Sequence, residues 1–129
     1  MTEPLMRLFG ADIQTFFEPG SVLHVGRPSF VRAHARLNAG VGSAVGGYVL
    51  RIEGTDDPTD PDGWEDVLST RNDTGVVAVE HTFPVPAQAK LAYALAVDAR
   101  GFTALRLLAR ATGGPGQNGD KVVADAVTW

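Results

Sequence analysis

The sequence predicts an all-β fold, a single-domain antiparallel β-sandwich of jelly-roll-like form with an irregular or short-helical N-terminal segment, and three observations carry that expectation. After residue 20 most of the chain falls into short runs in which apolar and polar residues alternate, the period of a strand with one buried face. Glycine, proline, asparagine and aspartate separate those runs at regular intervals, the punctuation of a sandwich or barrel. The chain has 129 residues and no cysteine, so one domain must bury roughly two thirds of its unfolded surface without covalent staples.

The elements follow in order. Residues 1–20 show a poor pattern: Thr2 is placed to cap a single helical turn through Phe9, or Met1–Pro19 is an arm that docks on a neighbour, leaving 21–129 as the sandwich domain. Phe30–Asn38 sets Val31, Ala33, Ala35 and Leu37 against Arg32, His34 and Arg36, a half-buried strand. Tyr48, Leu50 and Ile52 alternate with Val49, Arg51 and Glu53, and the chain then enters an acidic hairpin loop and returns through Trp64, Val67 and Leu68. Gly75–Phe83 reads as one strand with Val77, Val79, His81 and Phe83 on a single face, ended by Pro84 and Pro86, which cannot donate to a ladder. Lys90–Ala99 places Leu91, Tyr93, Leu95, Val97 and Ala99 opposite Ala92, Ala94 and Ala96, a strand packed closely on both sides. Phe102–Thr112 also suits a short helix, but as a strand it gathers Thr103, Leu105, Leu107, Ala109 and Ala111 and turns Arg106 and Arg110 outward. The last strand, Lys121–Trp129, follows Asn118-Gly119, a hairpin-turn dipeptide.

Composition excludes several functions. Without cysteine there is no disulfide, thiol nucleophile or thiolate metal site. A net charge of −4 and a pI near 5.2 argue against a dedicated nucleic-acid binder. The N-terminus, with Glu3 and Pro4, is neither a secretory signal nor a membrane span. The expectation is a soluble protein made in a cytoplasm. Nine arginines against two lysines, with abundant alanine, glycine and valine, read as the coding bias of a GC-rich genome.

Constellations that could carry chemistry are weak. Seven of the fourteen residues 53–66 are Asp or Glu, but aligning Gly63 with the glycine of a calcium-binding EF-hand loop leaves Pro58 and Ser69 at its two ends. Gly114 to Gly119 spells G-x-G-x-x-G, yet only ten residues follow, too few for the helix and second strand that a dinucleotide site needs. A mobile hairpin loop is the expected reading. His24, His34 and His81 share no metal-ligand spacing, and no G-x-S-x-G elbow surrounds Ser21, Ser29, Ser43 or Ser69. No enzyme activity and no cofactor are expected. The candidates for contact are the outward groups Arg32, His34, Arg36, Arg106 and Arg110, since arginine forks and stacks are favoured at interfaces. Leu5, Leu8, Phe9, Phe16 and Phe17 of the N-terminal segment are a second set. Acidic loop and arginines could complement one another between subunits.

Arg51, Glu53, Thr55, Asp56, Asp57, Gly63 and Trp64, followed by Arg106, Arg110, Thr112 and Gly113, give a pattern across residues 45–115 that resembles tailed-bacteriophage capsid decoration proteins, also called cement or head-stabilising proteins. Such proteins show a strand ending in an aspartate-rich turn, a return through tryptophan and a later Arg-rich strand closing on Thr-Gly. The resemblance implies a β-sandwich virion protein, a trimer in many cases, that binds the major capsid protein on the capsid surface after synthesis in the host bacterial cytoplasm, with no direct nucleic-acid or membrane partner. The acidic loop is longer here and carries two prolines, and the N-terminal segment is unusual. Two rival readings are a low-copy tail or head-completion component and a carbohydrate-binding sandwich. The second needs exposed aromatic platforms, and Tyr48 and Tyr93 fall on expected core faces.

Overall fold

Alternation along Phe30–Asn38 carries into three dimensions residue by residue: Val31, Ala33, Ala35 and Leu37 are buried, while Arg32, His34 and Arg36 are exposed. The structure is a computed structural model that describes residues 2–26, 30–85 and 90–128. Its strands are β1 (Thr2–Phe9), β2 (Glu18–Pro19), β3 (Leu23–His24), β4 (Phe30–Asn38), β5 (Gly47–Thr55), β6 (Glu65–Val67), β7 (Ser69–Arg71), β8 (Val77–Ala78), β9 (Glu80–Pro84), β10 (Lys90–Asp98), β11 (Ala104–Thr112) and β12 (Lys121–Thr128). They form two antiparallel sheets packed as a sandwich. The first has the order β1-β12-β4-β10-β7-β8, and the second runs β2-β11-β5-β6 with β3 also on β11 and β9 also on β5. Between them lie Tyr48, Leu50, Phe83, Leu95, Leu107, Val122 and their neighbours, all essentially inaccessible.

The N-terminal segment departs from expectation. Thr2–Phe9 is neither helical turn nor free arm but an edge strand that pairs with β12 from Thr2↔Val127 to Phe9↔Lys121. A bulge between Pro4 and Met6 breaks the register, so Leu5 and Met6 both point inward and the period of two is lost from the sequence. Among the described residues only Gly10–Asp12 is helical, as a single 3-10 turn.

Gly75–Phe83 is likewise not one strand. The chain leaves β8 in the first sheet at Val79 and enters β9 in the second, which buries His81 and Phe83 and leaves Val76 and Val77 exposed. Pro84 closes β9; Pro86, Met1 and Trp129 lie outside the described residues.

The glycine loop is not a hairpin, because β11 and β12 belong to different sheets. Asn118-Gly119 does turn the chain, with Gly119 at φ +95° and Asp120 N–H donating to Gln117 O at 3.0 Å. The buried Asp120 carboxylate then accepts from Gly40 N–H (2.7 Å), Ser43 Oγ (2.7 Å) and Gln117 N–H (2.8 Å), charge-assisted bonds that pin the crossover. Gly116 packs so closely that a Cβ there would stand 2.2 Å from Gly10 O. Tyr48 ties the sheets at the same end by donating its hydroxyl to Asn38 O at 2.8 Å. Burial, and next the charge of Asp120, push that phenol far above its ordinary pKa.

Candidate interaction surfaces

The outer face of the first sheet is assembled by register. Phe9, Lys121, Asn38 and Lys90 form one cross-strand row over β1, β12, β4 and β10, and Arg7, Val123, Arg36 and Ala92 form the next. Pro4, Asp125, His34 and Ala94 follow, then Thr2, Val127, Arg32 and Ala96. Among the described residues these four rows hold five cations and the carboxylate of Asp125. Arg7 binds Asp125 through a guanidinium nitrogen, and Arg36 reaches the other oxygen of Asp125 at 3.6 Å. Among the described residues Lys90 and Lys121 make no ion pair. Asp98, further along β10, is held by Arg100. Between the cations lies a depression of about 510 Å³ lined by Arg7, Phe9, Arg36, Lys90, Leu91 and Lys121.

The outer face of the second sheet uses its cations internally. Register sets Arg106 opposite Glu53; Arg106 Nε donates to Glu53 Oε1 at 2.9 Å, and Nη2 lies 2.8 Å from the same oxygen as an ion pair. Arg51 reaches Glu53 Oε2 at 3.4 Å and Glu80 at 3.8 Å. The guanidinium of Arg106 stacks on Trp64 at 4.3 Å, and those of Arg51 and Arg110 lie over Phe17 at 4.3 and 5.3 Å, a cation–π geometry.

The sequence candidates separate accordingly. Arg32, His34 and Arg36 are exposed on the first sheet, but Arg106 and Arg110 are half-buried on the second, so the two arginine pairs do not meet. Leu5 is buried in the core, and Leu8 is partly buried against it. Phe17 lies beneath arginines, and only Phe9 and Phe16 remain exposed. Sequence reasoning missed Arg7, Lys90 and Lys121, which stand on three separate strands and become neighbours only through pairing.

The loop 53–66 is a rigid hairpin end. Asp57 Oδ1 accepts from Thr59 Oγ1 and Thr59 N–H, Asp60 Oδ1 accepts from Asp62 N–H, and backbone bonds Asp60 N→Asp57 O and Gly63 N→Asp60 O close two consecutive turns. Those Thr59 donors hold the Asp57 carboxyl below its ordinary pKa. Gly54 at the loop's base receives the Phe102 ring, 2.8 Å from where a Cβ would stand. No metal-binding cluster occurs among the described residues.

Among the described residues one serine meets a histidine. His81 Nε2 lies 3.0 Å from both Ser69 O and Ser69 Oγ. Nε2 can donate to the carbonyl in one tautomer or accept from the hydroxyl in the other. Both residues are buried, and the contact links β7 of the first sheet to β9 of the second.

No known protein family matches the chain, and no curated protein matches it. The crystal structure of SPBc2 prophage-derived protein YomS matches it with a TM-score of 0.52 and 11% sequence identity, over 100% of this chain and 96% of that one. At that identity the likeness is one of fold. It spans both sheets from end to end. Among the described residues no helix is long and apolar enough to cross a membrane.

Proposed function

We propose that this chain is a non-enzymatic structural protein of a tailed-phage particle, which binds the major capsid protein from outside and stabilises contacts between shell subunits. The observation that carries the reading is the end-to-end likeness in fold to a prophage-derived protein. The geometry supports a contact role: the first sheet offers a broad four-strand face, whereas the Ser–His contact is buried between the sheets, out of reach of a substrate. A decoration protein works mechanically. It adds buried area across subunit joints, so that internal pressure must break more contacts at once, and copy number multiplies a modest affinity. Assembly as a trimer, by analogy with the decoration proteins the sequence resembles, is part of the proposal, as is residence on the capsid surface after synthesis in the host cytoplasm.

A carbohydrate-binding role gains nothing from the geometry, because Tyr48 is buried and Trp64 is covered by Arg106. Quantitative mass spectrometry of purified particles from the encoding phage tests the proposal through this chain's copy number relative to the major shell protein. Comparable numbers are expected. A handful per particle would move the role to the tail or head completion, and absence from the particle would overturn a virion role.

A further inference from the structure

Net charge hides a strong asymmetry. The chain carries −4 overall, yet among the described residues the first-sheet face bears Arg7, Arg36, Lys90 and Lys121 against Asp125. Both of the chain's lysines lie in the row that borders the depression. The compensating acid is concentrated elsewhere. In the 53–66 hairpin Asp56, Asp57, Asp60, Asp62, Glu65 and Asp66 are all exposed.

We propose that the acidic 53–66 hairpin of one copy docks on the basic outer face of the first sheet of a second copy. One molecule cannot make this contact with itself, because the hairpin extends from β5 and β6 of the second sheet and the face points away from the core on the first. The two surfaces differ, so the contact is head-to-tail and generates a ring where the rotation closes or a filament where it does not. The hairpin suits such an insertion. Its turns are already fixed by Asp57, Asp60 and two prolines, so docking orders little further chain and loses little of its electrostatic gain to entropy. The receiving surface combines cations with the exposed ring of Phe9 and the partly buried Leu91, a mixed floor against which Pro58 and Pro61 can pack. This contact needs only copies of the chain, so the capsid role can fail while the contact holds.

Sedimentation of the purified full-length protein over a concentration series, at low and high salt, tests it with two variants. One reverses the face (Arg36→Glu, Lys90→Glu and Lys121→Glu). The other reverses the hairpin (Asp56→Lys, Asp62→Lys and Glu65→Lys), leaving Asp57 and Asp60 to hold the turns. Wild type is expected to associate and to dissociate as salt rises; each variant alone should associate at least about tenfold more weakly, and a mixture of the two should associate again. Circular dichroism confirms that each variant is folded, and a variant that fails to fold is replaced by its single substitutions at Lys90 or Asp62. A wild type that stays monomeric, association that ignores either reversal, or a mixture that fails to associate would each overturn the contact. A monomer whose face binds duplex DNA, lost on face reversal, would also overturn it and assign the face to a phosphate backbone.

Discussion

The outer faces of the two sheets carry the same residue type in the same alternating pattern and put it to opposite use. On β11, Arg106 and Arg110 look in sequence like Arg32 and Arg36 on β4. On β11, however, Glu53 of the opposing strand pairs with Arg106, which stacks on Trp64, and Arg110 lies over Phe17, so one guanidinium is ion-paired and both rest on aromatic rings. Across β4 the neighbours are Ala92, Ala94 and Ala96 on one side and Val123, Asp125 and Val127 on the other. Among the described residues a single carboxylate there serves two arginines and leaves both lysines without an ion pair. Outward arginine is thus no guide to availability until the facing strand is known. One face is built to hold itself together and the other is left charged.

If that difference is real, the largest effect belongs to Glu53. Its side chain is only 11% exposed and is shared by two arginines, so Glu53→Ala strands the half-buried Arg106 and leaves Arg51 only its longer contact to Glu80. Breaking a buried pair costs about 3–5 kcal/mol, and partial exposure of the arginines places the expected loss near the bottom of that range, about 3 kcal/mol. Urea denaturation should show a lower midpoint with an unchanged slope. A change below about 0.5 kcal/mol, the scatter of ordinary surface substitutions, would erase the distinction between the faces.

Trp64→Leu comes next. It keeps apolar cover over the sheet but removes the π face beneath Arg106, for an expected loss of about 1 kcal/mol by the same measurement. Lys90→Ser with Lys121→Ser should then leave stability within about 0.5 kcal/mol of wild type while weakening the salt-sensitive self-association. Loss of stability instead would mean that the first-sheet face is also structural.

What the sequence discloses follows the same division. Inner faces are legible because the core imposes period two locally: β4 alternates buried and exposed residue by residue, and although β5 and β11 are covered on both faces, their alternation still picks out the residues that join the core, Tyr48, Leu50 and Ile52 or Leu105, Leu107 and Ala109. Three features are not legible, each for a local reason. The bulge at Leu5 puts two consecutive residues inward and disguises β1. Alternation through Val79 specifies a face but not a sheet, so the passage from β8 to β9 leaves no mark. Asn118-Gly119 signals a turn without saying that the next strand lies across the core. Outer faces are less legible still, because Arg106 and Glu53 lie far apart in the chain and Arg7, Lys90 and Lys121 gather only once three antiparallel registers are set. Arg32, His34 and Arg36 could be read as exposed because they alternate on one strand.

The smallest effect concerns acid. Asp57, Asp73 and Asp98 have pKa values below their ordinary 3.8, held down chiefly by side-chain donors: Thr59 for Asp57, Arg71 for Asp73 and Arg100 for Asp98. A carboxyl whose folded pKa is depressed contributes stability in full above its unfolded value and loses it as pH falls through the folded one. Their contribution should therefore be constant above about pH 4 and fade below it. All three groups are solvent-exposed, so the fade should be shallow and weaker still in high salt. Melting temperature recorded from acid to neutral pH should show this limb, and Asp73→Asn with Asp98→Asn should flatten it. The same substitutions should leave self-association untouched, because neither aspartate belongs to the 53–66 hairpin or to the cation-rich rows of the first sheet. Association that weakened with them would extend the contact beyond those rows, toward the Asp98 end of β10.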